Sequence, residues 1–157
     1  MKEIQFSIRD IKLYERFRAE SGYGAHIKAT AGQPDNLVAL TIATDEENGI
    51  IDEYIQVAIN ECIVTTSRYL SQCNVSHEND NEANGYKIHN FSLSLPHNYP
   101  ETHIISLENV MMDFICNRTL QQWYALVKSD DANTVAIKAQ SAMALMRDIL
   151  SIRNKPL

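Results

Sequence analysis

The stretch "IISLENVMMDFICNRTLQQWYALV" (Ile104–Val127) decides how this chain folds. Read as a helix, it places Leu107, Val110, Met111, Phe114, Ile115, Leu120, Trp123, Tyr124 and Val127 over more than half of its circumference. A helix apolar on so many sides must be wrapped by other elements, so it forms the centre of a helical bundle. Trp123, the sole tryptophan, keeps step with Leu120 and Val127, which predicts a core or interface position rather than a ligand box. Arg118, Gln121 and Gln122 project elsewhere. They read either as solvated or as contacts to a neighbouring subunit, since Trp and Arg are enriched at interface hot spots.

Downstream, Asp130 and Asp131 predict a break and a cap. A last helix follows, with Val135, Ala139, Ala142, Met143, Met146, Ile149 and Leu150 on one face. Its small residues Ala136, Ala139, Ser141, Ala142 and Ala144 permit close packing, and Pro156 closes the chain. Arg147, Arg153 and Lys155 gather at its end. Cations there favour the helix dipole. The functional alternative is a basic tip that touches an acidic partner or passing DNA.

Upstream, Thr44-Asp45-Glu46-Glu47 reads as a capping box that starts a helix running to about Ser71. Ile51, Ile55, Ala58, Cys62, Thr65 and Tyr69 form its apolar stripe. "SQCNVSHENDNEANG" (72–85, led by Ser71) is polar and turn-rich and predicts a loop. "YKIHNFSLSL" (86–95) predicts a strand ended by Pro96, with a bulge near Asn90 because its alternation changes phase between Ile88 and Phe91. Residues 96–103 read as another loop. "EIQFSI" alternates Ile4, Phe6 and Ile8 with polar residues, the period of a half-buried strand. Asp10 then caps a short helix striped by Ile11, Leu13, Tyr14 and Phe17. The glycines around Tyr23 predict its end, and 21–36 reads as an exposed loop with Tyr23 and His26 as candidate contact residues. "NLVALTIAT" (36–44) reads either as a short strand or as an apolar lead-in.

The expected fold class is therefore mainly α with a minor β component: three to four helices in a bundle plus a short β-hairpin or strand. At 157 residues the chain is expected to form a single domain, 1–157. Residues 1–43 supply an N-terminal strand, short helix and loop, and residues 44–157 a helical core with a strand near 86–95.

Candidate chemistry is sparse. His89, His97, His103 and Glu101 cluster in sequence, but without the spacing of a zinc site, so no metal is expected. No glycine-rich phosphate loop or nucleophile elbow occurs, so neither catalytic residues nor a cofactor are expected. The net charge of -6 argues against non-specific nucleic-acid binding. Cys62, Cys73 and Cys116 are odd in number and lack a C-x-x-C pair, which predicts reduced thiols, with Cys62 and Cys116 facing the core. Asn74, Asn90 and Asn117 begin glycosylation sequons that carry no weight without a secretory signal. The opening "MKEIQFSIRD" lacks an apolar signal region, and no stretch reaches the roughly 18 apolar residues of a membrane span, so a cytoplasmic chain is expected.

The order "LTIATDEENGIIDEYIQVAINECI", "FSLSLPHNY", "DFICNRTLQQWYALVKSDDANTVAIKAQSAMALMRDILSIRNKP" resembles small proteins of Bacteroides-type phages and prophages encoded among virion neck and tail genes. The resemblance covers roughly residues 41–156. The layout is also similar to helical head–tail connector proteins. It implies a structural, non-enzymatic subunit that assembles into a ring joining portal to tail, with portal, neck or tail proteins as partners. It also implies DNA passing transiently through the lumen, no membrane, and a place in the virion after assembly in the host cytoplasm. An acidic conduit would not grip the genome. The residues alone also fit a small cytosolic binding or regulatory protein of a mobile element.

Overall fold

The long apolar helix anticipated at 104–127 organises everything else. The computed structural model describes residues 1–32, 48–78, 86–127 and 129–151, with no side-chain description at 23–29. In chain order the elements are β1 (Lys2–Arg9), α1 (Asp10–Thr30), α2 (Asn48–Thr66), β2 (Leu70–His77), β3 (Lys87–Leu95), α3 (Thr102–Leu126) and α4 (Ala132–Ser151). The protein is mainly α with a minor β component, as its periodicities imply. The β part is a three-stranded antiparallel sheet in the order β1-β3-β2, more than the hairpin or single strand expected.

Helix α3 buries Leu107, Val110, Met111, Phe114, Ile115, Leu120, Trp123 and Tyr124 because α1, α2, α4 and β1 all pack against it. Full burial of each large apolar side chain is worth about 1.5–3 kcal/mol. Two buried polar residues on α3 are satisfied within the helix: Thr119 Oγ1 donates to Ile115 O at 2.7 Å, and Asn117 Nδ2 to Asp113 O at 2.9 Å. A tight turn then reverses the chain. Ser129 N–H donates to Tyr124 O at 2.8 Å, and Asp131 O accepts from Val135 N–H at 3.1 Å to begin α4. Val135, Ala139, Ala142, Met146, Ile149 and Leu150 bury the inner face of α4. At its far end the fully buried Tyr99 donates its hydroxyl to Ile149 O at 3.0 Å, fastening the turn before α3 to the end of α4.

Strand β3 is the middle of the sheet. Its inward residues His89, Phe91, Leu93 and Leu95 are buried, and Phe6 of β1 stacks on its register partner Phe91 at 5.4 Å. The bulge expected near Asn90 is absent. β3 pairs with β1 in unbroken register from Lys2↔Leu95 to Arg9↔Ile88, and the irregularity lies in β2 between Leu70 and Gln72. The apparent phase change arose because the inward phase passes through His89, a polar residue, while Ile88 points to the other face.

Two further expectations are corrected. The first helix does not end before Tyr23: α1 runs on to Thr30, so the loop expected at 21–36 is helical through that residue. Two glycines cost about 1 kcal/mol each in a helix. Buried Leu13, Tyr14, Phe17 and Ser21 offset that, as do ties from Arg16 to Asp113 and from Glu20 to Arg16. The true stop is Gly32, whose φ of 78° is the left-handed geometry that ends helices. The second helix ends at Thr66 rather than near Ser71, and Leu70–His77, mostly assigned to a loop, is strand β2. Hydrogen bonding to β3 outweighs the polar composition of "LSQCNVSH". Of the predicted 96–103 loop, Thr102 and His103 belong to α3. The capping box at 44–47, the 36–44 segment and residues 79–85 of the expected 72–85 loop lie outside the described residues.

Candidate functional site

Helices α2 and α4 both lean on α3 and leave between them an open groove of about 800 Å³. Its floor is Phe114, Arg118 and Gln121 of α3. Val57, Glu61 and Val64 form one wall, and Ala139, Met143 and Arg147 the other. The local sequence dictates this shape. On α2 the buried stripe is Ile51, Ile55, Ala58, Ile59 and Cys62, so Val57 and Val64 fall beside it and remain 39% and 73% exposed.

The groove joins apolar walls to one organised polar group. Arg118 Nε approaches Glu61 Oε1 at 3.2 Å and Oε2 at 3.3 Å, while its Nη1 donates to Gln121 Oε1 at 3.3 Å. The pair is partly solvated, so its net stabilisation is about 0–1 kcal/mol and its main effect is to fix the guanidinium in place. Across the groove Thr65 Oγ1, 2.9 Å from Glu61 O, touches Met143 Sδ at 3.1 Å. Arg147 is exposed on the rim and has no ion-pair partner among the described residues.

Of the candidate contact residues, the fold brings Arg118 and Arg147 to this groove, from different helices. Gln122 is separate from it. It is half-buried, and its Oε1 has no hydrogen-bond partner among the described residues. Tyr23 and His26 lie on the α1 backbone, with side chains outside the description, and Arg153 and Lys155 lie outside the described residues altogether. Trp123 is core: it is 3% exposed and meets Phe17 edge-on at 6.2 Å.

The opposite side of α4 is also partly apolar. A smaller depression of about 360 Å³ is bordered by Arg16, Asp113, Ile137, Lys138 and Leu145. Ile137 and Leu145 are 64% and 49% exposed. Arg16 is held by Asp113 and by Glu20 at 3.0 Å. Burial opposes its charge, but these hydrogen bonds prevail and keep its pKa above that of an ordinary arginine.

Sequence reasoning missed a buried hydrogen-bonded pair. His89 Nε2 lies 2.8 Å from Asp10 Oδ1, and both side chains are 2% exposed. The carboxylate can only accept, so the imidazole donates. The inward phase of His89 along β3 was the available signal. This pair lies where substrate cannot reach. Among the described residues no three His, Cys, Asp or Glu side chains converge as metal ligands. His97 faces the N-terminal amine at 2.8 Å, and Glu101 faces Lys2 at 3.7 Å. No helix among the described residues is long and apolar enough to cross a membrane.

The cysteines offer a direct check on burial. Desolvation, reinforced by Glu61 and by Glu20 respectively, pushes the thiols of Cys62 and Cys116 well above the usual range, and Cys73 is raised by its partial burial alone. Cys62 and Cys116 are buried and Cys73 is half-exposed. Maleimide labelling of the native protein at pH 7.5–8 (about the ordinary thiol range) should therefore modify Cys73 first. Labelling of Cys62 and Cys116 should require denaturant. Rapid native labelling at either would contradict the packing described. No protein-family model, curated protein or solved structure matches the chain.

Proposed function

We propose that this chain is a non-enzymatic virion assembly subunit, a head–tail connector or neck or tail-completion protein that forms a ring joining portal to tail. The observation that carries the reading is the pair of unlike contact surfaces on the two sides of α4. One is the groove walled by Val57, Val64 and Met143, and the other is the ridge bearing Ile137 and Leu145. Head-to-tail association needs two different surfaces per subunit, and repeated rotation closes such a contact into a ring. The ordered motifs between residues 41 and 156 that resemble phage neck proteins support the same reading. The subunit acts by shape and surface complementarity, with portal, neck or tail proteins as partners and no cofactor. Its net charge of -6 suits a wall along which DNA slides. It resides in the host cytoplasm until assembly and in the virion afterwards.

A second reading has its own support. The groove is flanked by two helices and has exposed apolar walls, the form of site that accepts a partner's amphipathic helix. On that reading the chain is a small cytosolic binding or regulatory protein of a mobile element.

Sedimentation and negative-stain microscopy of the protein, alone and with a phage portal protein, separate the two. Rings, or a subunit layer on the portal, are the expected result. A protein that stays monomeric at every concentration and leaves the portal bare would overturn the assembly reading.

A further inference from the structure

We infer that the α2/α3/α4 groove is the seat for the outer face of α4 from a second copy of this chain. This rests on the assembly reading and names the two surfaces that meet. Ile137, Ser141, Leu145 and Asp148 follow one another at steps of four, four and three, so they share a face of α4. All four are exposed. The face turned toward the groove carries Ala139, Met143 and Arg147 instead. One helix thus presents an apolar ridge on one side and walls an apolar groove on the other.

The dimensions agree. Val57 and Val64 are seven residues apart on α2, a rise of about 10.5 Å, and Ile137 and Leu145 are eight apart, about 12 Å. Both ridge side chains can therefore drop beside the two valines at once. Ser141, between them, is small enough to let the incoming helix approach closely. The charges agree as well. Asp148 ends the ridge and Arg147 rims the groove, and neither has an ion-pair partner among the described residues. A ridge laid in the groove brings Asp148 of one copy within reach of Arg147 of the next, with Arg118 fixed on the floor behind it.

Back-to-back pairing of two ridges about Ser141 is the competing arrangement. It would cover Ile137 and Leu145 but leave Val57, Val64 and Arg147 without partners. The groove satisfies all of them, and its head-to-tail geometry is the kind that propagates.

Variants with one accessible cysteine, Cys62 and Cys116 being buried, distinguish these arrangements. On a Cys73→Ser background, V64C and L145C are prepared separately; both sites are exposed, so the fold should survive. A short bismaleimide is added to each variant alone and to their mixture at the highest soluble concentration. Cross-linking that appears strongly only in the mixture is the expected result. Strong cross-linking of L145C alone would assign the ridge to itself and overturn the groove occupant while leaving self-assembly standing. If sedimentation shows association but none of the samples cross-link, the surfaces named here are wrong. If the protein is monomeric throughout and uncross-linked, this inference fails, and the assembly reading is then decided separately by the portal experiment. A charge exchange gives a second readout. Arg147→Glu should weaken association about fivefold to tenfold, and adding Asp148→Arg to it should restore most of the loss. Absence of restoration would remove this ion pair from the interface.

Discussion

Replacing Asp10 with alanine is expected to lower the unfolding free energy by about 3–5 kcal/mol. The Asp10 and His89 side chains are each 2% exposed and lie 2.8 Å apart, joining the first turn of α1 to the central strand. Without the carboxylate, the imidazole N–H is left in a dry interior with nothing to receive it. Asp10 also places negative charge in the first turn of α1, which contributes about 0.3–1 kcal/mol through the helix dipole. His89→Ala should cost a similar amount for the converse reason, because it leaves the buried carboxyl of Asp10 without its hydrogen-bond partner. The double substitution Asp10→Ala/His89→Leu should recover a large part of the loss, since an apolar pair needs no hydrogen bond. Urea unfolding followed by circular dichroism measures all three, and equal slopes across the variants would show that only stability changed. A loss below about 1 kcal/mol for either single variant would mean that the pair does not hold α1 to the sheet.

Trp123→Ala should be comparably severe, about 3–5 kcal/mol. The indole is 3% exposed, and its edge-on contact with Phe17 joins α3 to α1. Truncation removes a large buried area, leaves a cavity and forfeits the ring contact, itself worth about 0.5–1.5 kcal/mol. For a domain of this size such a loss lowers Tm by roughly 10–15 °C, which scanning calorimetry reads directly. Trp123→Phe should retain most of the stability. If Trp123→Ala instead left Tm within about 2 °C and reduced only self-association, the indole would be an interface residue.

The parts of the fold carried by strong apolar periodicity were legible in the sequence. β1, α3 and α4 lie where their alternation and helical stripes put them, and the stripe of α2 from Ile51 to Cys62 is buried as read. The failures have a common cause, since each element was decided by its neighbours rather than by its own residues. α1 passes through Gly22 because Arg16, Phe17 and Glu20 are held by α3. β2 has little apolar content, and Val75 is 50% exposed, but it pairs with β3 from Leu70 to His77. Of the candidate contact residues, Arg118 and Arg147 were individually visible, but they are 29 positions apart in sequence, so only the packing of α4 on α3 reveals that they share a groove. Gln122 was grouped with Arg118 by proximity in sequence, yet it takes no part in that groove.

The placement of β3 between β1 and β2 also governs the order of events on the ribosome. Lys2 pairs with Leu95, so the first strand must wait while more than ninety residues are translated, roughly 5–20 s, before its partner emerges. β2 waits far less, because its pairings run from His77 with Lys87 to Leu70 with Leu93, close behind it in the chain. Throughout that interval Phe6 and Ile8, buried in the finished fold, have no sheet to enter. The groove is assembled later still, because Arg147 is translated last among the residues that form it. A groove that exists only after its third helix has been released cannot be filled while the rest of the chain is unformed.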